Sequence, residues 1–296
     1  MLHIAEVLCP VDFSEFSRRA LDHAAALARW YGAHLTLLHV VLTRPAADRP
    51  QATMTDADRQ PIMADLRRLA AQVPVDVALD LRVVDASDVH REILKAAAAV
   101  SADLLVLGTH GRSGFERLLL GSVAERVVRK APCPTMIVPR RAPDVPPDEP
   151  VRFHRVLCPV DFSEASLRAV RSAMSLAEEA RAQVTLLHVI ERPPEPGAQP
   201  ASAGVDDDRR RAAACADCRK RVQALAADAP PHATVKVVVR EGAAHREILA
   251  AAAERGADLI VMGVQGRGAA DLLVFGSNTA RVMRGAACPV LVLPPA

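Results

Sequence analysis

Two stretches of this chain carry residue types at a spacing that suits an anion. Gly108 to Ser122 reads Gly, two residues, Gly111, nine residues, Gly121-Ser122, and Gly263 to Ser277 repeats the pattern as Gly, two residues, Gly266, nine residues, Gly276-Ser277. An apolar run, residues 104–107 or 259–262, stands immediately before each, so each reads as a buried strand entering a glycine loop. Glycine lacks a Cβ and tolerates positive φ, so Gly108 and Gly111 are expected to turn sharply and let a ligand near the amides. After Gly121 a helical pattern begins, and its first amides and dipole favour a phosphate.

Other readings of the same residues stand beside this one. Ser122 followed by Glu125 fits a capping box, whereas Ala280 replaces the glutamate in the second copy and leaves Ser277 without that partner. No lysine follows the last glycine, so the stretch is not the Gly-x4-Gly-Lys-Ser/Thr phosphate loop, nor is it Gly-x-Gly-x-x-Gly. The loop interiors differ: His110, Ser113, Gly114 and Phe115 face Gln265, Gly268, Ala269 and Ala270, so the two sites are expected to differ in affinity.

The elements that must position these loops follow from a duplication. Val7 to Glu15 recurs unchanged at Val156 to Glu164, and Thr36 to Val40 at Thr185 to Val189, both offset by 149. His90 to Leu94 recurs at His245 to Leu249, and Gly108 at Gly263, both offset by 155, which places six extra residues in between, near the Pro-rich 191–200 segment. Each copy reads as βαβαβαβαβ. In the first, strands are expected at Ile4–Cys9, Leu35–Val40, Val75–Val84, the run before Gly108, and Thr135–Val138. Helices are expected at Ser14–Tyr31, Asp56–Gln72, from Ser87 onward, and at Val123–Lys130.

Alternating strands and helices imply an α/β fold, two doubly wound parallel sheets with helices on both faces. In such sheets the crevice lies outside the carboxyl ends of the strands, here at Asp12, Val40 and Gly108. The linker is 141–150, with four prolines; it separates domains at 1–140 and 151–296.

Composition narrows the function. A net charge of +2 over 296 residues gives no electrostatic case for nucleic acid, and no apolar run reaches the roughly 18 residues of a membrane helix. The chain is expected to be soluble, not exported, and cytoplasmic, with its six cysteines reduced. Eight aromatic residues leave a purine to be held by aliphatic side chains and backbone. Cys215 and Cys218 read either as ordinary helix cysteines or as a zinc or redox pair. His39, His188, His90 and His245 read as core or helix-end imidazoles, or alternatively as metal ligands or phosphate neighbours; no metal site is assigned. The final strands are expected at sheet edges, open to pairing.

Strand-Pro-Val-Asp-Phe-Ser, a strand ending Leu-Leu-His-Val, and Gly-x2-Gly-x9-Gly-Ser before a Cys-Pro-apolar strand together resemble the universal stress protein family, as a tandem two-domain member. The resemblance spans nearly the whole chain and implies the ATP-binding branch and the strand order 3-2-1-4-5 in each five-stranded sheet. It implies that Asp12 and Asp161 contact the ribose or adenine end, that Val40 and Val189 meet adenine through the backbone, and that Gly108, Gly111, Gly121, Ser122, Gly263, Gly266, Gly276 and Ser277 wrap the ribose and phosphates. Pro10, Val11, His110, Arg112 and Val123, with Pro159, Val160, Gln265, Arg267 and Asn278, complete the set; Asp12 alternatively caps the next helix, and the arginines alternatively stay in solvent. The implied ligand is ATP, ADP or AMP, with magnesium travelling with ATP. Pairing of the two repeats through their last strands, and a homodimer, are also implied. The expected role is a nucleotide-dependent regulator with at most slow ATP hydrolysis and no assigned catalytic residue; a thiol or zinc sensor at Cys215 and Cys218 is the alternative.

Overall fold

The computed structural model describes residues 3–43, 54–109, 121–145, 153–191, 205–231, 233–264 and 276–295. Two compact units form: Leu2–Arg152 together with Met283–Ala296, and Phe153–Val282.

In the first unit the chain runs β1 (Glu6–Pro10), α1 (Glu15–Tyr31), β2 (His34–Leu42), α2 (Asp56–Ala70), β3 (Leu79–Ala86), α3 (Val89–Ala99), β4 (Leu104–Gly108), α4 (Ser122–Lys130) and β5 (Thr135–Val138). Its counterparts continue as β6 (Arg155–Pro159), α5 (Glu164–Ala180), β7 (Gln183–Ile190), α6 (Val205–Ala227), β8 (Thr234–Glu241), α7 (Ala244–Arg255), β9 (Leu259–Gly263), α8 (Ser277–Gly285) and β10 (Val290–Leu293).

Strand residues alternate between sheet faces, yet Leu104 to Leu107 are all buried, so both faces of β4 are covered. The first unit orders its strands β3-β2-β1-β4-β5, all parallel, with β10 added antiparallel to β5 so that Val290 faces Ile137. The second unit orders β9-β6-β7-β8, all parallel, which is the same 3-2-1-4 sequence of strands. Thus the expected strand order holds, while the fifth strand of the second repeat lies in the first unit. Its four residues are all buried, and β5 supplies the ladder that such an apolar strand requires.

Local signals explain the elements. Ser14 accepts from the Ser17 N–H to cap α1, and Gly32, at φ 63°, closes it in the left-handed region where a Cβ would be strained. Ala20, Leu21, Ala24, Leu27 and Ala28 form its buried stripe, packed on β1 and β4. Three expectations shift. Strand β3 starts at Leu79 instead of Val75, because Val77 N–H folds back to the Pro74 carbonyl at 3.0 Å and Val75 is fully exposed. Helix α3 is capped by Asp88, whose carboxylate accepts from the His90 N–H at 3.1 Å, so Ser87 is one residue outside. The start of the Pro-rich linker is not a free spacer. Arg19 donates to the Arg140 and Ala142 carbonyls at 2.8 and 3.1 Å and meets Asp144 at 3.4 Å, which ties 140–144 to α1.

Candidate functional site

The carboxyl ends of β1, β2 and β4 meet the first turn of α4 around a cleft of ≈ 1210 Å³. Pro10, Val11, Asp12, Val40, Gly108, Gly121, Ser122 and Val123 all line it. His110, Gly111 and Arg112 lie outside the described residues, as do Gln265, Gly266 and Arg267.

The loop after β1 is fixed from several sides. Phe13 sits at φ 65°, a conformation that costs a non-glycine residue about 1–3 kcal/mol, and the surroundings hold it there. Its ring lies 4.5 Å from that of His39. His39 Nδ1 is 2.7 Å from the Val11 carbonyl oxygen, and since a carbonyl only accepts, Nδ1 carries the proton. Ser17 Oγ accepts from the Asp12 N–H at 3.3 Å and donates to the Ser14 carbonyl at 3.0 Å.

Asp12 is therefore not the helix cap. Its Oδ1 accepts from the Ser14 N–H at 3.1 Å and from Ser14 Oγ at 2.6 Å, while Ser14 does the capping. The carboxylate braces the cap residue and faces the cleft. The second repeat builds the same turn: Phe162 at φ 61°, His188 Nδ1 donating to the Val160 carbonyl at 2.6 Å, and Asp161 Oδ1 accepting from Ser163 Oγ at 2.6 Å.

Two expectations about the glycine stretch are corrected. Gly108 does not have positive φ; a Cβ there would come within 2.8 Å of the Phe16 carbonyl oxygen, and at Gly263 within 2.7 Å of the Ala165 Cβ. These two glycines let the first turn of α1 or α5 press on the end of β4 or β9. The capping box at Ser122 does not form either. Gly121 is the cap residue, no side chain caps α4, and Glu125 pairs with Arg129 at 3.0 Å. The first-turn amides of Ser122 and Val123 thus border the cleft at the positive end of the helix dipole.

Each glycine stretch is clasped at its base. The Gly121 N–H donates to the Thr109 carbonyl at 2.7 Å, and the Gly276 N–H to the Val264 carbonyl at 3.2 Å, so the chain leaves and re-enters at one point. The amides of Gly121 and Gly276 are therefore spent on the clasp. In the second repeat Thr279 Oγ1 also donates to the Gly263 carbonyl at 3.1 Å, where the first repeat has Ala124.

Pro159, Val160, Asp161, Val189, Gly263, Gly276, Ser277 and Asn278 occupy the corresponding strand and helix ends of the second repeat. The cleft also draws in Phe13 and Ser17, which sequence reasoning did not assign to it, and His39, which it read as a core imidazole, a metal ligand or a phosphate neighbour. Phe13 and His39 stand in the repeated Asp-Phe-Ser and Leu-Leu-His-Val motifs, but spacing alone does not reveal a histidine-to-carbonyl bond across 28 residues.

Among the described residues no group of three His, Cys, Asp or Glu side chains is placed to hold a metal ion, and no helix is long and apolar enough to cross a membrane. Cys215 and Cys218 are half-buried on α6, whereas Cys9, Cys133, Cys158 and Cys288 are buried. Burial pushes the Cys133 thiol up to about 12 and shifts Cys9 and Cys158 upward as well, which keeps them protonated and unreactive. His90 pairs with Asp88, the cap of its own helix.

Comparison with known proteins bears on both repeats. The sequence model of the universal stress protein family matches residues 4–139 and 152–294. A universal stress protein of Methanocaldococcus jannaschii is 32% identical over 141 residues, covering 45% of this chain and 81% of the relative. One from Synechocystis sp. is 34% identical over 144 residues, covering 49% of this chain and 87% of the relative. The crystal structure of a universal stress protein from Archaeoglobus fulgidus matches with a TM-score of 0.70 at 23% identity, covering 100% of this chain and 99% of that one; that likeness concerns the fold.

Proposed function

The chain belongs to the universal stress protein family, and from that premise we propose that it binds an adenine nucleotide, ATP foremost, and acts as a nucleotide-dependent regulator in the stress response. One observation carries the reading: the cleft of ≈ 1210 Å³ gathers the ends of β1, β2 and β4 and the uncapped first turn of α4 in one place. Pockets for ligands of this size are of that order, concave and largely apolar.

Each group has work that suits its chemistry. The purine lies against Val40 and its main chain, on an aliphatic wall that includes Leu38 and Ile62. Asp12, already oriented by Ser14, accepts from the ribose hydroxyls. The phosphates meet the Ser122 and Val123 amides, the Ser122 hydroxyl and the dipole of α4. Magnesium, when bound, neutralises phosphate charge and keeps most of its waters.

Binding rather than turnover is what these groups suit: main-chain amides, a serine and a carboxylate braced by the helix cap offer no general base set to activate water. A nucleotide that ties three strand ends to α4 stabilises that arrangement by mass action and so biases which surface a partner meets. The β5–β10 ladder supports pairing of the two repeats through their last strands. The six thiols suit a reducing compartment such as the cytoplasm.

The test is to denature the purified protein, identify and count any released nucleotide by mass spectrometry, and titrate nucleotide-free protein with magnesium and ATP by calorimetry. Saturable binding is expected, weakened about tenfold by Asp12→Ala through loss of a charge-assisted hydrogen bond. The absence of saturable heat with any adenine nucleotide at millimolar concentration would overturn the reading.

A further inference from the structure

In the first repeat Leu42, Val89 and Val123 line the cleft where β2 ends and where α3 and α4 begin. Offsets of 149 for the first of these and 155 for the other two place Glu191, Ala244 and Asn278 at the same positions in the second repeat. Two of these three apolar positions have become polar, and Glu191 is bonded to the other two residues. Glu191 Oε1 accepts from the Asn278 side-chain amide at 3.1 Å and from the Ala244 N–H at 3.3 Å.

Helix α7 explains half of this. Its cap position holds Ala243, which makes no side-chain cap, whereas α3 has Asp88. The Glu191 carboxylate takes over the capping task from the end of β7. The bond to Asn278 has no such explanation. It carries the same oxygen across to the second residue of α8, at the counterpart of the α4 turn that borders the first cleft. A carboxylate thus lies between two helix N-termini, where the electrostatics favour a negative group.

We propose that Glu191 is a specificity-determining residue of the second crevice, an internal carboxylate that competes with nucleotide phosphates at the α8 N-terminus, so that nucleoside polyphosphates fill the first crevice in preference to the second. The inference rests on the nucleotide reading and refines it. A phosphate approaching Asn278 must displace the carboxylate or lie against its charge, and like charges at that separation repel. Arg281 does not restore the balance, since the first repeat has Arg126 at the corresponding position. His245 adds no compensating charge: burial and the nearby Arg281, 3.5 Å away, favour its neutral form. Glu191 is exposed, so its effect is that of a solvent-screened charge.

Photolabelling with 2-azido-ATP, followed by peptide mapping, reads each crevice separately in the full chain; calorimetry gives the stoichiometry. The wild type is expected to label mainly in the first repeat. Glu191→Leu, which copies Leu42, and Asn278→Val, which copies Val123, should each strengthen labelling of the second repeat about fivefold while leaving the first unchanged. Equal labelling of both repeats in the wild type, or a second repeat indifferent to both substitutions, would overturn the role of Glu191 and leave nucleotide binding standing. No saturable labelling of either repeat in any of the three proteins would instead remove the nucleotide reading, and this inference with it.

Discussion

The turn after the first strand and the rim of the crevice have diverged very differently between the two repeats. Pro10 to Ser14 and Pro159 to Ser163 are identical in sequence, and both fold with a phenylalanine at positive φ, a histidine bonded to a valine carbonyl and an aspartate braced on the cap serine. The rim shares little: Leu42, Asp88 and Val123 correspond to Glu191, Ala243 and Asn278. Residues of the turn satisfy one another's buried groups, so changing one strands its partner. The rim residues border solvent and can change without cost to the core. A duplicated fold therefore keeps its frame and varies its selectivity.

The largest effect expected within the shared frame is at the glycines ending β4 and β9. Gly108→Val and Gly263→Val should each cost about 2–4 kcal/mol in chemical denaturation, because the new side chain meets helix backbone that cannot move aside. Stability unchanged at either position would break the equivalence and return that glycine to a ligand-facing role.

A smaller effect separates the repeats. Asp22 on α1 has its carboxyl pushed up to about 6 by burial and by Asp144, against the Arg19 charge, while the second repeat has Arg171 in its place. The folded chain binds that proton more tightly than the unfolded one, so its contribution is fully present below pH ~4 and is lost as pH rises through about 6. Asp22→Asn should stabilise the protein at pH 7.5 by about 1 kcal/mol or less after solvent screening, and have no effect near pH 4. A gain that is the same at both pH values would show that charge at Asp22 is not the cause.

The smallest effect is expected at Ser122, set against Ser14, the serine that caps α1 in the same repeat. Ser14→Ala should cost about 1 kcal/mol as a lost cap, whereas Ser122→Ala should stay within about 0.5 kcal/mol in thermal denaturation, since its hydroxyl caps nothing. A comparable loss from Ser122→Ala would restore the capping box to α4.

Much of the frame was legible in the sequence. The repeat, the α/β alternation, the 3-2-1-4-5 strand order that family resemblance implies, seen in the first unit, and the gathering of Asp12, Val40 and Gly108 at strand ends with Ser122 at the start of α4 all appear in the fold. The start of β3 differs from expectation because Val75 and Val77 look like strand residues, yet they lie in the turn that the Val77 N–H closes on the Pro74 carbonyl, and the strand begins only at Leu79. The Ser122–Glu125 box failed for a related reason: the spacing is right, but Gly121 takes the cap position and Arg129 takes the glutamate.

The sequence by itself determined which residues stand at the ends of strands and helices, because hydrophobic periodicity, prolines and cap residues act over a few positions along the chain. The tertiary structure alone decided why Gly108 and Gly263 must be glycine, where β10 finds its ladder, and that Glu191 reaches both Ala244 and Asn278. Those contacts join residues tens of positions apart, and their partners are chosen by packing, to which local spacing is blind.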